Sequence, residues 1–231
     1  MVVVSRSSES QGKSLYRCLS RELHLHHLQF IPLVAPSAPW SVTPAGWGKF
    51  LSSVFDDWLE NDVGKVFIQY FDNLLGVWAG QPATLCTMQP VCGQSLLVEQ
   101  NGDVYSCDHF VSAEYKLGNL KQDAMAAMAN SPFQQQFGKR KAQLSARCQG
   151  CHWRFACHGG CPKHRILTHD DEAQNFLCHG YLTFFRHITP YMNVMRRLLL
   201  NCQPPNLIMS LIPEIRQNIL KLTESEDERT K

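Results

Sequence analysis

The chain of 231 residues is 44% hydrophobic and 18% charged, so it can bury a core and is unlike a disordered segment. Its 22 basic and 20 acidic side chains leave a formal net charge of +2, which argues against a dedicated nucleic-acid-binding protein. No apolar run reaches the roughly 18 residues of a membrane span, and the first residues lack the pattern of a signal peptide. We therefore expect a cytoplasmic protein that binds neither nucleic acid nor membrane.

Short apolar runs alternate with helical patterns in residues 1–80. Thr43 is a suitable N-cap, Pro44 suits the first helical position, and apolar residues then recur at helical spacing as far as Leu59. The alternation predicts an α/β fold with a parallel sheet. The first strand would need a parallel neighbour from earlier sequence, so we interpret this domain as incomplete. The predicted strands are 2–4, 27–34 and 66–71, and the predicted helices are 11–23 and the segment that follows Thr43.

Residues 81–200 have short strands and are rich in glycine, cysteine and histidine. The pair Asn101-Gly102 between two strand-like runs predicts a hairpin with a type I′ turn. Residues 201–231 contain a C-terminal helix and a charged tail, 223–231, that we expect to fray. The predicted helices are 122–130, 132–146, 181–200 with an interruption at Pro190, and 210–222.

Ten cysteines are the most informative feature of the composition, and eight of them lie between positions 86 and 178. Proteins of the cytoplasm seldom form disulfides, so a dense group of cysteines indicates metal binding. Glycines at 159 and 160 allow the backbone to bend tightly within the densest block. That block comprises Cys148, Cys151, Cys157 and Cys161, with Cys178 as a more distant candidate.

Counting leaves three kinds of site open. Three upstream cysteines and five downstream cysteines make two four-thiolate sites only if one downstream cysteine crosses over. Two [4Fe–4S] clusters would use eight cysteines. Two zinc sites would also use eight, but zinc favours paired Cys-x2-Cys motifs and only one such pair is present. Disulfides would require a secreted protein. Asp108, next to Cys107, is either a carboxylate beside the metal or the cap of a turn. Cys18 and Cys202 are left over.

The cysteine spacing resembles that of the SPASM domain of radical-SAM peptide-modifying enzymes. The pattern is Cys86-x5-Cys92-x14-Cys107, then Cys148-x2-Cys151-x5-Cys157-x3-Cys161, then Cys178. Other segments resemble anaerobic sulfatase-maturating enzymes. These are Gln29-Phe-Ile-Pro32, Ser41-Val-Thr-Pro44, Asn101-Gly-Asp-Val-Tyr-Ser-Cys-Asp-His109, Tyr115-Lys-Leu-Gly-Asn119, Arg154-Phe-Ala-Cys-His-Gly-Gly-Cys-Pro162 and Pro190-Tyr-Met192.

The resemblance implies a fold, a reaction and partners. Residues 1–80 would be the late part of a partial (β/α) radical-SAM barrel, and residues 81–200 a cysteine-rich α+β SPASM domain with a hairpin and helices. In that family a 5′-deoxyadenosyl radical, made from S-adenosylmethionine, abstracts hydrogen from a sulfatase Cys or Ser, which becomes Cα-formylglycine. The implied partners are a sulfatase polypeptide and an electron donor of the flavodoxin or ferredoxin type.

The resemblance also implies roles for particular residues. Two auxiliary [4Fe–4S] clusters are expected, with Cys161 as the crossover ligand. Asp108 matches an acidic residue that is proposed to take the substrate proton. By the family's pattern Cys86, Cys92, Cys107 and Cys161 hold the first cluster, and Cys148, Cys151, Cys157 and Cys178 hold the second.

One departure from the family bears on activity. No Cys-x3-Cys-x2-Cys occurs in the 231 residues, and in the family this motif holds the cluster that cleaves S-adenosylmethionine. The start of the chain resembles the fifth barrel strand, so we expect the first four β/α units to be missing. S-adenosylmethionine and a third cluster are expected only in a full-length form. The alternatives are a maturase chain that is inactive alone and a non-catalytic or truncated iron–sulfur remnant, with a zinc-binding module less favoured.

Overall fold

The computed structural model describes residues 1–167 and 173–229, leaving aside the side chain of Leu167 and those beyond Lys221. The chain divides into two compact units, Met1–Gln81 with Leu177–Lys231 and Pro82–Phe176. The segment 177–200, which we placed in a SPASM domain on sequence grounds, lies in the first unit. The domain range 81–200 stays a prediction.

Parallel strand pairs and helical connections form the start of the first unit. Strand β1 pairs with β3, and β2 pairs with β4, both in parallel. Parallel strands require crossover connections, which α1 and α2 provide, and this arrangement confirms the predicted β/α alternation. The barrel itself stays a prediction. The elements are β1 Val2–Val4, α1 Gly12–Arg17, a π-helical turn Cys18–Glu22, β2 His27–Leu28, β3 Phe30–Pro32, α2 Pro44–Asn61, β4 Phe67–Ile68 and α3 Gln69–Trp78.

Helix α2 begins where the sequence predicts. The Thr43 hydroxyl accepts a hydrogen bond from the Gly46 amide at 3.0 Å, and Pro44 occupies the first turn. The Glu9 carboxylate in turn accepts a bond from the Thr43 amide at 2.7 Å, which fixes the cap. The strand predicted for 66–71 is shorter than expected, because α3 already begins at Gln69 and buries its apolar residues as a helix.

The long helix α8, Cys178–Leu200, packs against α2 at two glycines. A Cβ atom on Gly48 would lie 2.7 Å from the Gly180 carbonyl oxygen, so the two backbones approach as closely as glycine allows. The interruption predicted at Pro190 is wrong, since α8 is continuous through that residue. Large apolar side chains on both sides of Pro190, including Phe185 and Met192, are buried and hold the helix together.

Helix α9, Ile208–Arg229, follows a 3₁₀ turn at Pro205–Leu207 and is longer than the predicted 210–222. The predicted charged tail, 223–231, extends beyond the described residues. Among the helices in the described part of the chain, none is long and apolar enough to cross a membrane.

The second unit consists of a small antiparallel sheet, short helices and irregular loops. Strand β6 lies between β5 and β7. The predicted helices 122–130 and 132–146 are present in shortened form as α4 and α5. The elements are β5 Leu97–Val98, β6 Asp103–Tyr105, a 3₁₀ turn Ala113–Tyr115, β7 Lys116–Asn119, α4 Met125–Ala129, α5 Pro132–Arg140, α6 Ala146–Gln149, α7 Arg154–Cys157, a 3₁₀ turn Pro162–His164, β8 Arg165–Leu167 and β9 Ala173–Asn175.

The predicted hairpin is present, but its turn is of another type. A type I′ turn needs positive φ at both central residues, and among 99–102 only Gly102 has it, at 92°. The Gly102 amide donates to the Glu99 carbonyl at 2.9 Å, which closes a four-residue turn one position earlier than predicted. Gly102, the last residue of this turn, therefore supplies the left-handed conformation, and Asn101 does not.

Candidate metal centre

The first cysteine loop, from Cys86 to Cys92, has no regular secondary structure and is held by a buried lysine. Lys141 is 0% exposed, and its ammonium donates to the carbonyl oxygens of Cys86 at 2.8 Å and of Thr87 at 3.0 Å. It also donates to the carbonyl of Gln89. The loop is thus wrapped around a single cation that comes from 50 or more residues further along the chain.

A buried glutamine holds Cys92 and Cys107 in neighbouring positions. The Gln134 side chain, on α5, donates to the carbonyl of Gly93 at 2.7 Å and to that of Ser106 at 3.0 Å. These carbonyls directly follow Cys92 and directly precede Cys107. One amide group thereby joins the first cysteine loop to the end of the β5–β6 hairpin.

The segment after the hairpin brings Cys107 towards Cys161. The Cys107 thiol donates to the Asp108 carboxylate at 3.1 Å, and Nδ1 of His109 lies 3.1 Å from Sγ of Cys161. The His164 ring lies near that of His109, tilted by 34°, with 5.4 Å between the ring centroids. Asp108 is exposed, so its carboxylate is accessible beside the cysteine.

Charge interactions connect the four cysteines of the first predicted set. Burial raises the pKa of Cys161, and the neighbouring Cys86 and Cys92 raise it further. Burial also raises the pKa of Cys107 to about 12, and Cys161 is among the groups that add to this shift. Cys161 therefore lies within electrostatic reach of the other three cysteines inside the second unit, and as thiolates the four would need a nearby positive centre.

Three further cysteines lie on consecutive short turns. The Ser145 hydroxyl caps α6 by accepting from the Cys148 amide at 3.3 Å, and the Cys151 amide donates to the Cys148 carbonyl at 3.3 Å. Cys157 ends α7. Three residues with positive φ then follow, His158 at 45°, Gly159 at 72° and Gly160 at 62°, which confirms that the backbone bends sharply before Cys161.

The remaining cysteines belong to the first unit. Cys178 is the first residue of α8, in the first unit. Cys18 belongs to the π-helical turn near the start of the chain, and Cys202 is exposed with a φ of 56°. Neither leftover cysteine lies in the second unit.

The donor set of the second unit is compatible with an iron–sulfur cluster. In the part of the chain that the structure describes, no three His, Cys, Asp or Glu side chains converge to hold one metal ion. A [4Fe–4S] cluster takes one thiolate on each of four iron atoms, so its ligands need not converge on a point. Thiol donors on loops that a lysine and an arginine hold are compatible with an anionic cluster.

Sequence reasoning missed Lys141 and Gln134, which organise the cysteine loops. Lys141 ends the basic run Lys139-Arg-Lys141, which looks like a solvated surface segment in sequence. Gln134 lies in an equally polar helix. Nothing in their local sequence indicates burial, because their partners are carbonyl groups of distant loops.

Comparison with known proteins identifies the cysteine-rich region. The SPASM family, described as an iron–sulfur cluster-binding domain, matches residues 86–152. A serine-type anaerobic sulfatase-maturating enzyme of Bacteroides thetaiotaomicron is 42% identical, over 84% of this chain and 52% of that protein. A cysteine-type anaerobic sulfatase-maturating enzyme of Clostridium perfringens is 29% identical, over 82% of this chain and 54% of that protein.

Solved structures agree with the sequence relatives. The structure of anSMEcpe with bound AdoMet and Cp18Cys peptide superimposes with a TM-score of 0.75 at 28% identity, over 85% of this chain and 57% of that one. This chain spans about half the length of the curated relatives that it matches. It is thus a homologue of the anaerobic sulfatase-maturating enzymes, radical-SAM proteins with a SPASM domain, and corresponds to their C-terminal part.

Proposed function

We propose that this chain holds two auxiliary [4Fe–4S] clusters of an enzyme that oxidises a sulfatase Cys or Ser to Cα-formylglycine. The relatives' names, serine-type and cysteine-type maturating enzymes, support the reaction class. The observation that carries the proposal is the contact between His109 and Cys161. It brings Cys161 next to the segment that carries Cys107, and the family's ligand pattern assigns these two cysteines to the same cluster.

The first ligand set in this proposal is Cys86, Cys92, Cys107 and Cys161. The buried Lys141 and Gln134 hold the loops that carry the three upstream members. The second set is Cys148, Cys151, Cys157 and Cys178. Consecutive turns support the first three members of the second set, whereas Cys178 is assigned by the resemblance alone.

The chain's own residues would bind the clusters and move one proton. When bound, clusters of this type accept and pass on single electrons. Asp108 would take the proton that the substrate thiol or hydroxyl loses on oxidation, because its exposed carboxylate directly follows the proposed cluster ligand Cys107 in the chain. The partners in this proposal are a sulfatase polypeptide and an electron donor of the flavodoxin or ferredoxin type, in the cytoplasm.

A non-catalytic iron–sulfur remnant is the second candidate. The observation that favours it is the absence of Cys-x3-Cys-x2-Cys from the 231 residues. Both candidates bind the same two clusters, and they differ in whether S-adenosylmethionine is cleaved by a longer form of the protein.

Metal analysis of cysteine variants tests the ligand sets. We expect about eight iron and eight sulfide per reconstituted chain, since each cluster uses four thiolates. Cys92→Ala and Cys161→Ala should each remove about half of the iron, and the double variant should remove no more than either single one. Cys202→Ala is the matched control and should keep all of it. Two zinc ions and no brown colour after iron reconstitution would refute the cluster proposal, and loss of all iron in the double variant would refute the crossover of Cys161.

A further inference from the structure

Lys141 is a buried cation whose hydrogen bonds use every proton of an ammonium group. Its Nζ lies within hydrogen-bonding distance of three carbonyl oxygens, those of Cys86, Thr87 and Gln89. A neutral amine has only two N–H donors, so three carbonyl partners match the charged form.

Arg165 connects this lysine to a second cysteine loop, the segment from Cys157 to Cys161. Its guanidinium donates to the Lys141 carbonyl at 2.8 Å and to the Gln143 carbonyl at 3.0 Å. On the other side it donates to the carbonyls of His158 at 3.1 Å and Gly159 at 3.2 Å, inside the run of positive φ between Cys157 and Cys161. A side chain on Gly159 would lie 2.9 Å from this guanidinium, so the loop follows the arginine closely.

The two cations hold loops that carry cysteines of both predicted sets. Lys141 donates to the carbonyl of Cys86, a member of the first set, and its own carbonyl accepts from Arg165. Arg165 also donates to the carbonyls of His158 and Gly159, which lie between Cys157 of the second set and Cys161 of the first. Both positive charges therefore lie in the second unit, on loops that carry cysteines of both predicted sets.

We propose that Lys141 and Arg165 are positioning residues that fold the two cysteine loops around one cationic centre and raise the reduction potential of the cluster held by Cys86, Cys92, Cys107 and Cys161. The inference rests on the proposed function, since it needs a cluster to act on. A fixed positive charge near a cluster favours its reduced form, which carries one more negative charge. Because both side chains are held by backbone carbonyls, their charges cannot move away when a cluster is reduced.

The test uses the full 231-residue chain, reconstituted anaerobically in a Cys148→Ala background, which leaves one proposed cluster to titrate. Lys141→Gln and Arg165→Gln remove one charge each and retain an amide donor. Lys139→Gln removes a charge from an exposed lysine two residues away and is the matched control. The readouts are iron per chain, far-UV circular dichroism, and the midpoint potential from a dye-mediated titration followed by electron paramagnetic resonance.

Each charge-removing variant should keep its iron and become harder to reduce. We expect the ratio of reduced to oxidised cluster at a fixed solution potential to fall at least tenfold, which is about 59 mV for a one-electron couple. Lys139→Gln should match its parent. Potentials that stay at the parent value in both Lys141→Gln and Arg165→Gln, with iron retained, would overturn the electrostatic role.

A second variant tests the positioning role without reference to potential. Lys141→Met removes all three donors while keeping the length of the side chain, and it should lose the iron of the first cluster with its circular dichroism unchanged. Full iron content in Lys141→Met would overturn the positioning role. A parent protein that binds no cluster would instead refute the proposed function itself, so the two failures are distinguishable.

Discussion

The contact between α2 and α8 allows a sharp test of the first unit. Gly180 lies in the first turn of α8, and a Cβ atom there would be 2.1 Å from the Pro44 carbonyl oxygen and 3.0 Å from the Gly48 amide nitrogen. Both obstacles are backbone atoms, which cannot rotate away as a flexible side chain can. Gly180→Ala must therefore separate the two helices or bend the start of α8.

The size of the effect follows from two opposing contributions. Adding a methyl group to a filled site costs about 1–3 kcal/mol, and a clash with backbone belongs at the upper end. Alanine regains about 1 kcal/mol of stability, because its helix propensity is higher than that of glycine. We expect a net loss of about 2 kcal/mol in the free energy of unfolding, or roughly 4–8 °C in Tm for a chain of this size.

Urea and thermal denaturation of the protein measure this loss. The matched control is Gly76→Ala in α3, where the added Cβ meets only the Gln81 side chain at 3.9 Å. That variant should gain up to about 1 kcal/mol from helix propensity alone. If Gly180→Ala is as stable as the parent while Gly76→Ala behaves as expected, the close packing of α2 against α8 is wrong.

Two further predictions concern chemistry. The first concerns S-adenosylmethionine, whose cleaving cluster needs the motif Cys-x3-Cys-x2-Cys that this sequence lacks. Incubation of this chain with dithionite and S-adenosylmethionine, followed by chromatography, should give no 5′-deoxyadenosine above the blank. Turnover would show that the proposed auxiliary clusters can cleave the cofactor. In a full-length form, Asp108→Asn should keep its iron and its production of 5′-deoxyadenosine, yet lower the yield of formylglycine at least about tenfold, as loss of a general base does. A normal yield would place the base elsewhere, with His109 as the next candidate.

The sequence predicts those features of the fold that depend on neighbouring residues. The cap of α2 is an example, since Thr43 and Pro44 act within one turn of the helix that they start. The Asn101-Gly102 pair locates the hairpin correctly but not the turn, because the strand register decides which residue takes positive φ. Pro190 misleads for a similar reason, as buried packing along α8 outweighs the local cost of a proline.

In the candidate site, too, the sequence predicts the features that depend on neighbouring residues and misses those that depend on distant ones. Cysteine spacing is a local property, so counting identifies eight ligand candidates and predicts one crossover if they form two four-thiolate sites. The groups that hold the loops cannot, because Lys141 is 55 residues from Cys86 in the sequence and Gln134 is 28 residues from Ser106. Both bind backbone carbonyls, which every residue possesses, and such partners leave no trace in the composition.

This division explains why the loops can have irregular backbones and still be precisely shaped. A loop without regular hydrogen bonds needs other partners for its buried carbonyl groups, and a buried cation can satisfy several of them at once. Lys141 donates hydrogen bonds to three carbonyl groups and Arg165 to four, all of them in or near the loops that carry the cysteines. In the proposed function the same two charges would also offset the negative charge of a cluster bound by these cysteines, so the groups that shape the loops are also suited to tune that cluster.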